Sequence, residues 1–125
     1  MIRFTKENNM PTSQPPTQQW VDICAIDDLT PEAGCGALLG DEQVALFYLP
    51  NQPEQLFAIS NYDPLGEANV LARGIVGNIG EQLVVASPLY KQHFDLRTGA
   101  CLEEAEVTVR CYSARIEAGR VELSG

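Results

Sequence analysis

The residues able to do chemistry in this 125-residue chain are few and scattered. There is one histidine, His93, beside Phe94 in a strand-like run, and no nucleophile elbow accompanies it. A hydrolase using His93 with a nearby carboxylate such as Asp95 therefore rests on the lone histidine alone. The four cysteines, Cys24, Cys35, Cys101 and Cys111, include no C-x-x-C pair, so neither a dithiol redox site nor a zinc site is spelled out. Cys24 and Cys111 lie in apolar runs, where a cysteine acts as a small buried hydrophobe. Gly74, Gly77 and Gly80 recur at three-residue spacing, but without a Walker lysine or a G-x-G fingerprint. That spacing reads as a mobile loop. Acidic residues gather at Asp22, Asp27, Asp28 and Glu32, and again at Glu103, Glu104 and Glu106. Both groups read as solvated faces, because carboxylates split their pKa values for acid–base work only in a buried cleft.

The elements that would position these groups are short and extended. From Trp20 onward, apolar β-forming runs alternate with Gly, Pro, Asn and Asp. The runs are Trp20–Ile26, Ala37–Leu39, Gln43–Leu49, Leu56–Ser60, Leu83–Ala86, His93–Leu96, Val107–Cys111, Ala114–Glu117 and Arg120–Leu123. Close spacing of this kind predicts an all-β antiparallel sandwich or small barrel. No segment keeps an apolar period of 3.6, so long helices are not expected. A single helical turn fits near Thr30–Ala33 or Glu67–Ala72. The length supports one domain. Residues 1–19, with Pro11, Pro15 and Pro16 among Gln, Thr and Asn, read as a disordered tail, and residues 20–125 as the folded domain. Of the formal charge of −9, the folded part carries 6 basic and 16 acidic residues. Such a balance argues against nucleic acid or an anionic membrane as partner. With no apolar stretch resembling a signal peptide, the expected compartment is the cytoplasm, with reduced thiols.

Two loops add a resemblance. Ser87-Pro88-Leu89-Tyr90-Lys91-Gln92-His93-Phe94-Asp95-Leu96-Arg97-Thr98-Gly99 resembles the second cluster loop of Rieske iron–sulfur proteins, Cys-Pro-x-His followed by a Phe-Asp strand and a turn. Ile59-Ser60-Asn61-Tyr62-Asp63-Pro64 resembles the first, where Cys-x-His follows a strand. The resemblance implies a Rieske-like fold with a small loop-bearing subdomain. A Rieske centre takes two thiolates on one iron and two imidazoles on the other. The matching positions here are Asn61, Asp63, Ser87 and Tyr90, whose hard oxygen and amide groups suit that iron poorly. No cluster is therefore expected on this chain.

A Rieske-like domain without its ligands resembles the small subunit of the cytoplasmic NAD(P)H-dependent nitrite reductase. The likeness runs through Trp20–Cys24, Ala37–Ala45, Phe57–Asn61 and Val85–Leu89. It implies a non-catalytic accessory subunit. The partner would be a large subunit carrying FAD, [4Fe-4S] and sirohaem, which reduces nitrite to ammonium. Tyr62, Leu65, Leu89, Tyr90 and His93 would then form the face toward that subunit, with self-packing of the loops as the competing expectation. A ferredoxin-type electron carrier and an unrelated binding module on the same fold stand as alternatives.

Overall fold

A computed structural model describes residues 19–89 and 91–125. The described residues form eleven strands: β1 (Val21–Ala25), β2 (Gly34–Leu39), β3 (Glu42–Tyr48), β4 (Leu56–Ser60), β5 (Tyr62–Asp63), β6 (Ala68–Asn69), β7 (Ile75–Ile79), β8 (Gln82–Ala86), β9 (His93–Asp95), β10 (Cys111–Glu117) and β11 (Arg120–Ser124). Two 3-10 turns, Ile26–Asp28 and Leu71–Arg73, are the helical elements among the described residues. The proposed tail lies almost wholly outside the described residues.

Six strands form one antiparallel sheet in the order β1-β11-β10-β4-β3-β2, curled until β1 and β2 approach each other. β7, β8 and β9 form a second sheet, and β5 and β6 a two-stranded ribbon that lies between the two in chain order. Tight turns set the registers. Gly40 and Gly80 supply the positive φ of the two-residue hairpin turns between β2 and β3 and between β7 and β8. Ala118 and Gly119, both at positive φ, close β10 onto β11.

β3 and β4 are the common wall of two cores. Val44 and Leu46 of β3, with Leu56 and Ala58 of β4, face the interior of the curled sheet beside Val121 and Leu123. Ala45, Phe47, Phe57 and Ile59 face the other way, onto Leu83, Val85 and Phe94 of the second sheet. This double burial explains why Val44–Tyr48 is apolar without alternation.

Two expectations change. The glycine-spaced segment is not a loop. Ile75–Ile79 forms β7, because Ile75, Val76 and Ile79 favour extended backbone, and Gly74 is needed where a Cβ would come within 2.3 Å of the Ala86 carbonyl oxygen. Val107–Cys111 is not a continuous strand. Thr108 makes only an isolated bridge to Ala100, and regular pairing begins at Cys111, which is exposed while Val109 is buried. The single turn expected near Thr30–Ala33 or Glu67–Ala72 is present in both places: Thr30–Ala33 is one turn closed by the Ala33 N–H on the Thr30 carbonyl, and the 3-10 turn at Leu71–Arg73 ends the second stretch.

Candidate functional site

The two loops singled out by the sequence meet at one end of the second sheet. The first leaves β4 through Asn61 and forms the β5–β6 ribbon, and the second follows β8 from Ser87. Asp63-Pro64-Leu65-Gly66 is a turn with Asp at its first position, Pro at its second and Gly at its fourth. The Asp63 side chain holds the turn: Oδ1 accepts the N–H groups of Leu65 (2.9 Å) and Gly66 (3.1 Å). Asp63 is fully buried. Its other oxygen, Oδ2, accepts the Ser87 hydroxyl at 2.5 Å, across 24 residues of chain. Ser87 is 1% exposed, and its Oγ also receives the Leu89 N–H. Gly66 lies under Leu89, where a Cβ would come within 2.4 Å of the leucine Cδ1. One carboxylate–hydroxyl bond and one leucine–glycine contact therefore tie the loops together.

Asn61 turns elsewhere. Its Oδ1 accepts the Ala72 N–H at 2.7 Å, and its Nδ2 donates to Gln43 Oε1. It anchors the 3-10 turn at Leu71–Arg73 to β3 rather than joining Asp63 and Ser87. Tyr90 lies outside the described residues. Of the four positions equated with cluster ligands, two are thus in direct contact and one serves a separate anchor. Tyr62 and Leu89 are exposed at this tip, at 42% and 45%. Leu65 is partly buried and packs on the core.

His93 sits on β9 and is engaged. Its backbone N–H donates to Glu103 Oε1 (2.8 Å), and its Nδ1 lies 2.6 Å from Glu103 Oε2. Partial burial pushes the Glu103 carboxyl upward, but the bonds from His93 hold it below its ordinary value. Asp95 is not the partner of His93. Its Oδ1 caps the Arg97 and Thr98 N–H groups at 2.7 and 3.0 Å, and its Oδ2 accepts from Gln82. The histidine–Asp95 hydrolase is corrected on this geometry. Sequence reasoning missed Glu103 because it lies ten residues from His93 in an acidic run read as a solvated face.

The residues at the tip do not fit a [2Fe-2S] cluster. The described positions offer an amide, a carboxylate and a hydroxyl instead of thiolates and imidazoles. The carboxylate oxygens and the hydroxyl are also already committed to one another and to backbone donors. Elsewhere, Cys24 and Cys35 lie on β1 and β2, and burial raises the Cys24 thiol, helped by Asp28 and Cys35. All four cysteines are free thiols. Among the described residues no group of three or more His, Cys, Asp or Glu is placed to hold a metal ion.

A curled six-stranded sheet, a three-stranded sheet and paired loops at its end define a Rieske-like domain, and the family model for the Rieske-like [2Fe-2S] domain matches residues 19–124. The nitrite reductase (NADH) small subunit of Escherichia coli K12 is 52% identical over 107 residues, covering 86% of this chain and 98% of that one. A crystal structure described as the NADH-dependent nitrite reductase small subunit of Mycobacterium tuberculosis superposes with a TM-score of 0.81 at 42% identity, covering 88% of this chain and 97% of that one. The chain belongs to this family of nitrite reductase small subunits within the Rieske-like fold. It is also 42% identical, over 106 residues, to a stretch of the nitrite reductase NAD(P)H large subunit of Klebsiella oxytoca. That stretch covers 85% of this chain and 11% of the Klebsiella one.

Proposed function

We propose that this chain is the accessory subunit of an NAD(P)H-dependent nitrite reductase in the cytoplasm, working with a large subunit that reduces nitrite to ammonium. The large subunit carries FAD, [4Fe-4S] and sirohaem, and this chain supplies no reacting group. The observation that carries the reading is the Asp63–Ser87 bond: the loop tip is closed by protein groups at positions where a cluster-bearing relative needs its ligands. The family membership and the Klebsiella chain, which holds a homologous stretch within a large subunit, support association with a catalytic chain. The tip is the docking face. Tyr62 on β5 and Leu89 in the loop after β8 are exposed side chains with large apolar parts, the type of anchor that interfaces use, and Leu65, Tyr90 and His93 are the other candidate residues.

The test is nitrite-dependent NAD(P)H oxidation by the large subunit with and without this chain, and with the Tyr62→Ala, Leu89→Ala variant. The intact chain is expected to raise the rate. The double variant is expected to keep its fold and weaken complex formation by at least about tenfold. Equal rates with and without the chain would remove the accessory role. Unchanged affinity of the folded variant would remove the tip as the docking face.

A further inference from the structure

β7 is the open edge of the second sheet. The order is β7-β8-β9, and the outer side of β9 is bridged by Cys101 through Phe94. The two-residue turn at Gly80–Glu81 makes Ile79 and Gln82 the first hydrogen-bonded pair. Gly77–Val84 and Ile75–Ala86 follow in the same alternation. The N–H and C=O groups of Val76 and Asn78 therefore point away from β8. Among the described residues they have no hydrogen-bond partner.

Free edges are ordinarily guarded by lysine, proline, a bulge or a covering segment. β7 reads Ile-Val-Gly-Asn-Ile, in unbroken register with β8 and without any charge. Ile75 is 77% exposed, and Ile79 stands on the same face two residues beyond Gly77. A Cβ built on Gly77 meets nothing within 4 Å. The charge is also low here. Residues 61–92 carry Asp63, Glu67 and Glu81 against Arg73 and Lys91, whereas the rest of residues 20–125 carries 13 acidic and 4 basic residues. This is the part of an acidic molecule where a second copy meets the least repulsion.

We propose that β7 is a self-association edge, through which two copies of this chain pair antiparallel about a two-fold axis at Gly77. The segment is its own complement in this register. Val76 stands opposite Asn78 of the second copy, and each such pair exchanges both main-chain hydrogen bonds with the groups left free by β8. Ile75 stands opposite Ile79 of the second copy in a non-hydrogen-bonded pair, where side chains approach most closely. Gly77 faces itself, so no side chain stands between the two Ile75–Ile79 pairs on that face. The result is a continuous six-stranded sheet, an isologous contact that closes on itself.

The experiment is sedimentation equilibrium of the full chain from low to high micromolar concentration, with amide hydrogen exchange at both ends of the range. The mass is expected to rise from 13.7 kDa to twice that value, and the Val76 and Asn78 amides to gain protection only at high concentration. The Ile75→Lys, Ile79→Lys variant is expected to weaken the dimer at least about tenfold by like-charge approach. Asn78→Pro removes one outward amide while leaving the β8 bonds of Gly77 and Ile79, and is expected to do the same. Circular dichroism of both variants checks the fold. A mass of 13.7 kDa at every concentration overturns the proposal. So does a dimer that survives in both folded variants, or one whose Val76 and Asn78 amides exchange as fast as in the monomer. Loss of the large subunit from the lysine variant, with the free chain monomeric throughout, assigns the edge to that partner instead and equally overturns it.

Discussion

Ser87→Ala isolates the bond that closes the loop tip. Asp63 is fully buried and accepts three hydrogen bonds, two from its own turn and one from Ser87. A hydrogen bond to a charged group contributes about 1.5–3 kcal/mol. Removing the Ser87 hydroxyl deletes one of the three, and with it the acceptor of the Leu89 N–H. The alanine fits the space, so the expected cost is about 2 kcal/mol. For a domain of about 100 residues this lowers Tm by about 10 °C. Asp63→Ala leaves the Ser87 hydroxyl and the Leu65 and Gly66 amides without their acceptor, and should cost about 4 kcal/mol. Asp63→Asn keeps an acceptor and should cost less than Asp63→Ala. Thermal or urea unfolding of the single and double variants gives a double-mutant cycle, with an expected coupling of about 1.5–2 kcal/mol. Amide exchange at Leu65 and Gly66 should accelerate in Asp63→Ala. If Ser87→Ala melts within about 2 °C of the parent, the reasoning that this bond replaces a cluster as the tie between loops is refuted.

Three further outcomes are expected. Glu103 is held below its ordinary carboxyl value by His93, so its contribution to stability is present above the unfolded value near 4.5 and fades as pH falls through the lower folded value. Tm of the parent should therefore drop more steeply than that of Glu103→Gln as pH is lowered below about 4.5, and parallel curves would contradict the pairing. Burial, and then the neighbouring Glu42 carboxylate 2.6 Å from its hydroxyl, pushes Tyr112 up to about 12. Ultraviolet titration should show Tyr112→Phe losing a late-ionising phenol, and Glu42→Gln should bring that phenol toward 10. Gly74→Ala drives a Cβ to 2.3 Å from the Ala86 carbonyl oxygen and should cost about 2 kcal/mol or more, whereas Gly36→Ala meets open space and should leave the urea midpoint nearly unchanged.

The all-β class was legible from the residues alone, because strand propensity and turn chemistry are local. Val, Ile and Phe runs bounded by Gly40-Asp41 and Ala118-Gly119 specify hairpins whatever lies across the fold. The Asn-x-Asp of Asn61–Asp63, where the resemblance expects Cys-x-His, is visible without coordinates. The strand at Ile75–Ile79 was masked by Gly77 within it and Gly74 and Gly80 on either side. They look like a loop until the Ala86 carbonyl is seen pressing against Gly74 and β8 is seen pairing with the rest.

By itself the sequence determined most of the short extended elements, the turns at Gly40-Asp41 and Ala118-Gly119, and the acidic charge balance. Tertiary structure alone decided that Asp63 meets Ser87, that Asn61 turns to Gln43 and Ala72, that His93 pairs with Glu103 instead of Asp95, and that β3 and β4 are covered on both faces. The reason is separation along the chain. A residue's backbone preference depends on its near neighbours. The partner of a buried carboxylate 24 residues away depends on how two sheets close over a shared core, and neither loop encodes that closure on its own.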